Sequence, residues 1–263
     1  MLPLVLIPGI QGRWEYMRGT VDALSAHFQV LTFSLRGNTM EDYANQVSRS
    51  LDERHIERAV ICGVSFGGLV ALRFAAASPE RTIALVMVST PAPGWHLRPR
   101  HQLYARLPWI FGPLFLAETP WRLRAEMSAA LPGWRARWAF NRAALRTFVT
   151  APVPLSAMAA RARLIGRLDM RADCARVSAP TLVMTGEVHL DHVVPAERSS
   201  EYVQLIRGAR GAILERTGHT GTMTRPDAFA TLVRDFVSTQ EGADVRVAPG
   251  PTRGSAPTHD QVA

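Results

Sequence analysis

Three side chains far apart in the chain have the types and surroundings that nucleophilic acyl transfer needs. The first is Ser65, in Gly63-Val64-Ser65-Phe66-Gly67, between the apolar run Val60 to Val64 and an alanine-rich stretch. A serine with a glycine two residues to either side, set between a strand and a helix, is held out at the end of the strand as a nucleophile elbow. A turn that tight leaves no room for a Cβ at 63 or 67 and forces Ser65 into a strained backbone conformation. The helix that follows points its unpaired amides, and the positive end of its dipole, at the same spot, which suits an oxygen acquiring negative charge. The plainer alternative is a glycine-rich turn with an incidental serine; the strand before it and the helix after it favour the chemical reading.

A serine hydroxyl is a poor nucleophile until a base takes its proton, and the base is in turn held by a carboxylate. His219, in Arg216-Thr217-Gly218-His219-Thr220-Gly221, supplies an imidazole after a late strand. The loop Glu187-Val188-His189-Leu190-Asp191-His192-Val193-Val194-Pro195 supplies two acids, Glu187 and Asp191, so the order along the chain is serine, acid, histidine. His189, Asp191, His192 and His219 could also suggest a metal, but no H-E-x-x-H or paired-cysteine pattern accompanies them, and they read as loop histidines with neither metal nor cofactor.

These residues need a scaffold, and the hydrophobic pattern describes one. Pro3 to Ile7 is a buried-type strand, ended by the loop Pro8 to Gly12, in which Gly9 and Gly12 let backbone amides face a ligand. A helix carrying Trp14, Met17, Val21 and Leu24 follows, then a strand over 28–35 and a helix over 41–54. The elbow strand covers 59–64, its helix 66–77, and the next strand 82–89. Strand signals resume only at 179–186 and 212–215, with helices at 196–206 and 226–237. Alternation of this kind, with continuously apolar strands, implies an α/β fold: a doubly wound, mainly parallel sheet covered on both faces. Residues 1–91 and 177–240 form its core. Between them, 92–176 reads as a helical insertion rich in Arg and Trp, lying as a lid over the edge where Ser65 stands. From 241 to 263 the composition turns to Gly, Pro, Ser, Thr and charge without periodicity, the pattern of a disordered tail.

Composition narrows the field. A chain of 263 residues with 47% hydrophobic content has enough apolar material for a sizeable core. The apolar start lacks a basic region and a cleavage site, and the run Leu107 to Ala117 contains two prolines and a glycine, so neither a signal peptide nor a membrane span is expected. Cys62 and Cys174 make no disulfide framework, and reduced thiols in the cytoplasm are expected. The net charge is +8, and all 30 basic residues are Arg. Residues 91–176 hold 14 Arg against 4 acids, while 1–90 hold 8 of each and 177–263 hold 8 against 10. The excess therefore belongs to the insertion, and no nucleic-acid-binding motif accompanies it.

Taken together, Pro8-Gly9-Ile10, the elbow with its doubled Gly67-Gly68, Ser78-Pro79-Glu80-Arg81, Asp191-His192-Val193-Val194-Pro195 and Gly218-His219 resemble the α/β-hydrolase superfamily. The likeness is to its lid-bearing carboxylesterase and C–C hydrolase branch, including pimeloyl carrier-protein methyl ester esterases in plan, and runs from residue 2 to about 238. It implies Ser65 as nucleophile, His219 as general base and acid, and Asp191, whose Asp-x-Val-Val-Pro spacing matches, as the orienting carboxylate in preference to Glu187. It implies an oxyanion hole from the backbone amides of Phe66 and Ile10, and about six parallel strands without the family's leading hairpin. The chain departs from the family at Pro8, where a histidine is usual, and at Arg36-Gly37-Asn38-Thr39 in place of Arg-Gly-x-Gly.

The resulting expectation is a serine hydrolase acting on carboxylic esters of small to medium acyl chains, with no integral membrane association and no assigned oligomeric state. Acyltransferase, lactonase and C–C bond hydrolase chemistry would use the same residues, and the fold also hosts non-catalytic ligand-binding proteins. Gln11, Trp109, Phe111 and Phe115 are candidate pocket residues; the apolar run around Trp109 could equally touch a lipid surface or simply pack on the sheet. Arginines beside an apolar pocket suit an anionic or carrier-protein-linked ester, against the alternative of a solvated basic face.

Overall fold

The computed structural model describes residues 1–244. The strands are β1 (Pro3–Ile7), β2 (Gln29–Thr32), β3 (Ala59–Val64), β4 (Thr82–Val88), β5 (Thr181–Thr185) and β6 (Arg210–Ile213). All pair in parallel, in the order β2-β1-β3-β4-β5-β6. The first three helices are α1 (Arg18–Ser25), α2 (Met40–Asp52) and α3 (Phe66–Ala77). Between β4 and β5 run α4 (Pro99–Arg106), α5 (Pro108–Arg122), α6 (Arg124–Ala130), α7 (Trp134–Thr150), α8 (Leu155–Ile165) and α9 (Arg171–Arg176). The chain continues through α10 (Ala196–Ser199), α11 (Glu201–Leu205), α12 (Gly221–Thr224) and α13 (Pro226–Asp244).

The strands read as unbroken apolar runs because both faces of the sheet are covered. Val5, Ile7, Ile61, Leu85, Met87 and Val183 pack with residues of α2, α3, α9 and α11. Their neighbours Leu4, Leu6, Val60, Cys62, Val86 and Met184 point the other way, into a core shared with α1 and α13. Every residue of β3 is buried, as a central strand with a helical layer on each side requires.

Strand order explains where a site can form. β2 lies on one side of β1 and β3 on the other, so the loops leaving β1 and β3 diverge and open a crevice at the carboxyl ends of the strands. Pro8–Gly12 and Ser65 flank that crevice.

Several boundaries differ from the sequence reading, for local reasons. β2 is shorter than 28–35 because the chain peels away after Thr32: Leu35 N–H donates to Gly12 and the Ser34 carbonyl accepts from Gln46. β6 lies two residues earlier than 212–215; as an edge strand it is largely exposed, so apolarity does not mark it. The helix expected over 196–206 is two short ones that meet at Ser200. α13 continues to Asp244, so the first four residues of the expected tail are helical, and 245–263 lie outside the described residues. The Arg36–Thr39 turn is closed by Asp42, whose Oδ2 accepts the amides of Asn38 and Thr39 while Thr39 Oγ1 accepts the Asp42 amide, a capping box that starts α2.

Residues 89–180 contain helices and no strand. Among them α9 packs on α3, placing Cys174 in the core and Asp173 3.0 Å from Arg73. Among the described residues no single helix is long and apolar enough to cross a membrane.

Candidate active site

Ser65 sits between β3 and α3 with φ of 54° and ψ of −118°, left-handed backbone that a non-glycine residue adopts only when its surroundings enforce it. A Cβ on Gly63 would collide with the carbonyl oxygen of Gly67, and one on Gly67 with that of Ile7, so both glycines are needed for the turn to close against β1. The Ser65 amide donates to the Val88 carbonyl at 2.7 Å, tying the turn to β4. Phe66 is the first residue of α3, so its N–H has no acceptor within the helix.

The imidazole of His219 reaches this serine. Its Nε2 lies 3.1 Å from Ser65 Oγ and its Nδ1 3.4 Å from Asp191 Oδ2. The other carboxylate oxygen of Asp191 accepts the amides of Val193 at 2.9 Å and Val194 at 3.0 Å, which fixes the plane of the group. Burial pushes the Asp191 pKa up, but the hydrogen bond and charge of His219 with those two amides outweigh it, and the net shift is below the usual carboxylate value. The acid and histidine loops meet backbone to backbone: a Cβ on Gly218 would strike the Leu190 carbonyl, and one on Gly186 the Gly218 carbonyl.

Glu187, the other acid of that loop, is engaged elsewhere. Its Oε1 accepts the Arg216 amide at 2.6 Å and its Oε2 lies 3.6 Å from His189 Nε2. Among the described residues no group of three or more His, Cys, Asp or Glu side chains could hold a metal ion.

Ser65 and His219 open into a cavity of about 330 Å³, walled mostly by apolar side chains such as Leu116, Leu155, Met158 and Ile165. Gln11 and Phe115 line it. Trp109 and Phe111 do not. Helical phase turns Trp109, 74% exposed, away from the face that Phe115 presents; Phe111 shares that face but is taken up by stacking on Tyr104, with ring centroids 5.2 Å apart. A larger, polar depression of about 590 Å³ beside β2, lined by Arg13, Ser34 and Gln46, includes none of Ser65, Asp191 and His219.

Three residues escaped the sequence reading. Glu126 of α6 is fully buried, and its Oε1 accepts the Thr220 amide at 2.7 Å, next to His219. Arg161 of α8 is also buried and donates to the carbonyls of Ile10 at 3.0 Å and Leu35 at 2.9 Å, bracing the loop after β1. Arg122 of α5 lines the cavity with its guanidinium 4.2 Å above the Phe115 ring. A lone acid or arginine in a helical stretch carries no motif; only its place in the fold reveals it.

The profile of the alpha/beta hydrolase family matches residues 4–232. The chain belongs to this family. This hydrolase is 27% identical over 240 residues to a pimeloyl-acyl-carrier-protein methyl ester esterase of Nitrosomonas europaea, covering 84% of this chain and 88% of the relative. It is 25% identical over 261 residues to the RutD protein of Enterobacter cloacae, provisionally named a carbamate hydrolase, covering 88% and 89%. The crystal structure of the enol-lactonase from Burkholderia xenovorans LB400 superposes with a TM-score of 0.73 at 25% identity, covering 90% of this hydrolase and 91% of that chain.

Proposed function

We propose that this hydrolase is a serine esterase that cleaves carboxylic esters of small to medium acyl chains through an acyl-enzyme. The observation that carries the reading is the 3.1 Å approach of His219 Nε2 to Ser65 Oγ, with the Asp191 carboxylate behind the imidazole. In this reading Ser65 Oγ attacks the ester carbonyl carbon while His219 takes its proton. The tetrahedral oxyanion is held by the amides of Phe66 and Ile10, each such donor typically lowering the barrier by about 3 kcal/mol. The C–O bond to the alcohol breaks as His219 returns the proton to the leaving oxygen. Water, deprotonated by His219, then releases the acid and restores the serine. Asp191 holds the imidazole in the required tautomer and offsets its transient positive charge.

Turnover of p-nitrophenyl acetate and butyrate, with labelling of Ser65 by a fluorophosphonate, tests this directly. Ser65→Ala is expected to abolish both. Full activity in that variant would remove Ser65 from the mechanism, and an unlabelled, inactive native protein would favour a ligand-binding role.

The relatives named for methyl ester and enol-lactone cleavage support an ester-type acyl C–O bond as the one broken. Arg122 supports an acyl chain with an anionic far end. It lines the same apolar cavity, its Nε is buried without a partner, and Arg98 and Arg100 stand with it around His101 against one acid, Glu118. A carboxylate or carrier-linked phosphate handle would satisfy that surplus charge. The helices over 92–176 act as the lid in this reading. Cys62 and Cys174, buried and free, agree with a reducing, cytoplasmic setting.

A further inference from the structure

Exposed apolar side chains are concentrated in one part of the molecule. Of the fifteen large hydrophobic residues exposed among the described residues, eleven lie between Leu103 and Val149. The most unusual element there is α7, seventeen residues long without one buried side chain.

The phase of α7 shows that this exposure is not random. Trp134, Trp138, Leu145 and Val149 recur at spacings of four, seven and four residues, which at 3.6 residues per turn places them along one stripe. They are 68%, 58%, 64% and 71% exposed. Phe140 and Thr147, on the opposite side of the helix, are partly covered. The body of the protein therefore holds α7 by one face and leaves a second apolar stripe, about 22 Å long at 1.5 Å per residue, turned outward.

Charge borders that stripe. Arg135, Arg142 and Arg146 flank it on one side and Arg137 on the other, and α7 contains no acidic residue. Arg135 and Arg142 lean over the rings of Trp134 and Trp138, at 5.4 Å and 4.8 Å from their centroids. An apolar ridge of tryptophan and aliphatic side chains, rimmed by arginine, matches the boundary between lipid headgroups and acyl chains.

We propose that α7 is a peripheral membrane-binding element that lies flat on an anionic phospholipid surface, its Trp134–Val149 stripe in the acyl boundary and its arginines among the phosphates. A second copy of this chain is a poor occupant, because pairing the same face would set arginine against arginine with no acid between them. An acidic protein would satisfy the arginines but would not require a straight ridge of four exposed apolar side chains. Spanning the bilayer is excluded for α7 itself, which is too short and carries four charges.

The test is co-sedimentation of the full-length protein with vesicles, read without any turnover and so independent of the esterase reading. Vesicles of phosphatidylcholine alone should leave the protein in the supernatant. An equimolar mixture with phosphatidylglycerol should pellet it at low salt and release it at high salt. The doubly substituted Trp134→Ala, Trp138→Ala protein should bind at least roughly tenfold more weakly, since two large apolar groups no longer enter the boundary. Arg135→Glu and Arg142→Glu should each cost about fivefold or more. All four positions are exposed, so thermal unfolding matching the native protein checks the fold. The proposal is overturned if the native protein ignores the anionic vesicles at low salt, or if the double tryptophan variant pellets like the native protein. It is overturned too if soluble poly-glutamate binds the face and the vesicles do not, which would assign α7 to an acidic protein.

Discussion

The side chain of Glu126 crosses from α6 to the histidine loop and accepts the Thr220 amide at 2.7 Å, one residue beyond His219. Arg216, on the other side of the same loop, donates through Nε and Nη2 to the Ala129 carbonyl of α6, at 3.0 and 2.9 Å. The helical segment between β4 and β5 is thus fastened to the loop that carries the imidazole, and the position of α6 bears on the position of His219.

Burial raises the Glu126 pKa, with the Thr220 and Gly218 amides and the charge of His219 opposing it, and the net shift is upward. A carboxyl raised on folding keeps its full contribution to stability below its ordinary value of 4.5, and loses it as pH climbs through the raised value. Glu126→Gln should therefore gain stability relative to the native protein as pH rises from below 4.5 toward neutrality, then level off. Urea unfolding of both proteins across that range measures it; a pH-independent difference would mean that the carboxyl is not shifted. Glu126→Ala, which strands the Thr220 amide, should cost about 1–3 kcal/mol at any pH.

Asp191 titrates in the opposite sense. Its pKa is lowered, so its contribution is present above the ordinary 3.8 and disappears as pH falls through the lowered value. The stability gap between the native protein and Asp191→Asn should narrow below pH 3.8. At neutral pH the same variant should lose roughly 10³- to 10⁴-fold in kcat, because the imidazole no longer holds the right tautomer, with little change in KM. A loss confined to KM would show that Asp191 shapes the cavity and not the base.

Two glycine substitutions separate close backbone contact from simple flexibility. Gly63→Ala drives a methyl group into the Gly67 carbonyl, a backbone atom that cannot move aside, and should destabilise by more than about 3 kcal/mol or prevent folding. Gly19, exposed in the first turn of α1, has only Pro226 Cγ near its would-be Cβ, at 3.9 Å. Gly19→Ala should stabilise by about 0.5–1 kcal/mol through helix propensity. Thermal melts of the pair check both signs.

The sheet, and the stretches that the fold brings together at Ser65, Asp191 and His219, were legible because each left a local signature. Buried parallel strands are apolar throughout, and the elbow, Asp-x-Val-Val-Pro and Gly-His stretches are loops whose backbone geometry restricts which residues fit. β6 is less legible because an edge strand exposes its side chains; Trp109 lies outside the cavity because an apolar helix with two apolar faces does not say which face is inside, and Phe111 because Tyr104 stands in front of it. Glu126 and Arg161 act across separations of 94 and 151 residues, and nothing near them in sequence announces a partner. Residue type alone made the arginines look like surface charge.

Arg161 gives the sharpest case of such a distant partner. It is 2% exposed, its two terminal nitrogens hold the Ile10 and Leu35 carbonyls, and its guanidinium lies 5.8 Å from the centre of the Tyr43 ring. Fixing the Ile10 carbonyl also restrains the loop whose Ile10 amide is the proposed oxyanion donor. Arg161→Met keeps the bulk but leaves both carbonyls without their donor, and should lower stability by about 2–4 kcal/mol. It should lower kcat for p-nitrophenyl butyrate at least tenfold, with a smaller change in KM, because an oxyanion donor acts mainly in the transition state. Arg161→Lys, with one ammonium for two carbonyls on separate loops, should recover stability only in part and kcat hardly at all. Steady-state kinetics at a temperature where all three proteins are folded will decide: an unchanged kcat beside a lowered melting point would confine Arg161 to holding the fold and release Ile10 from its assigned role.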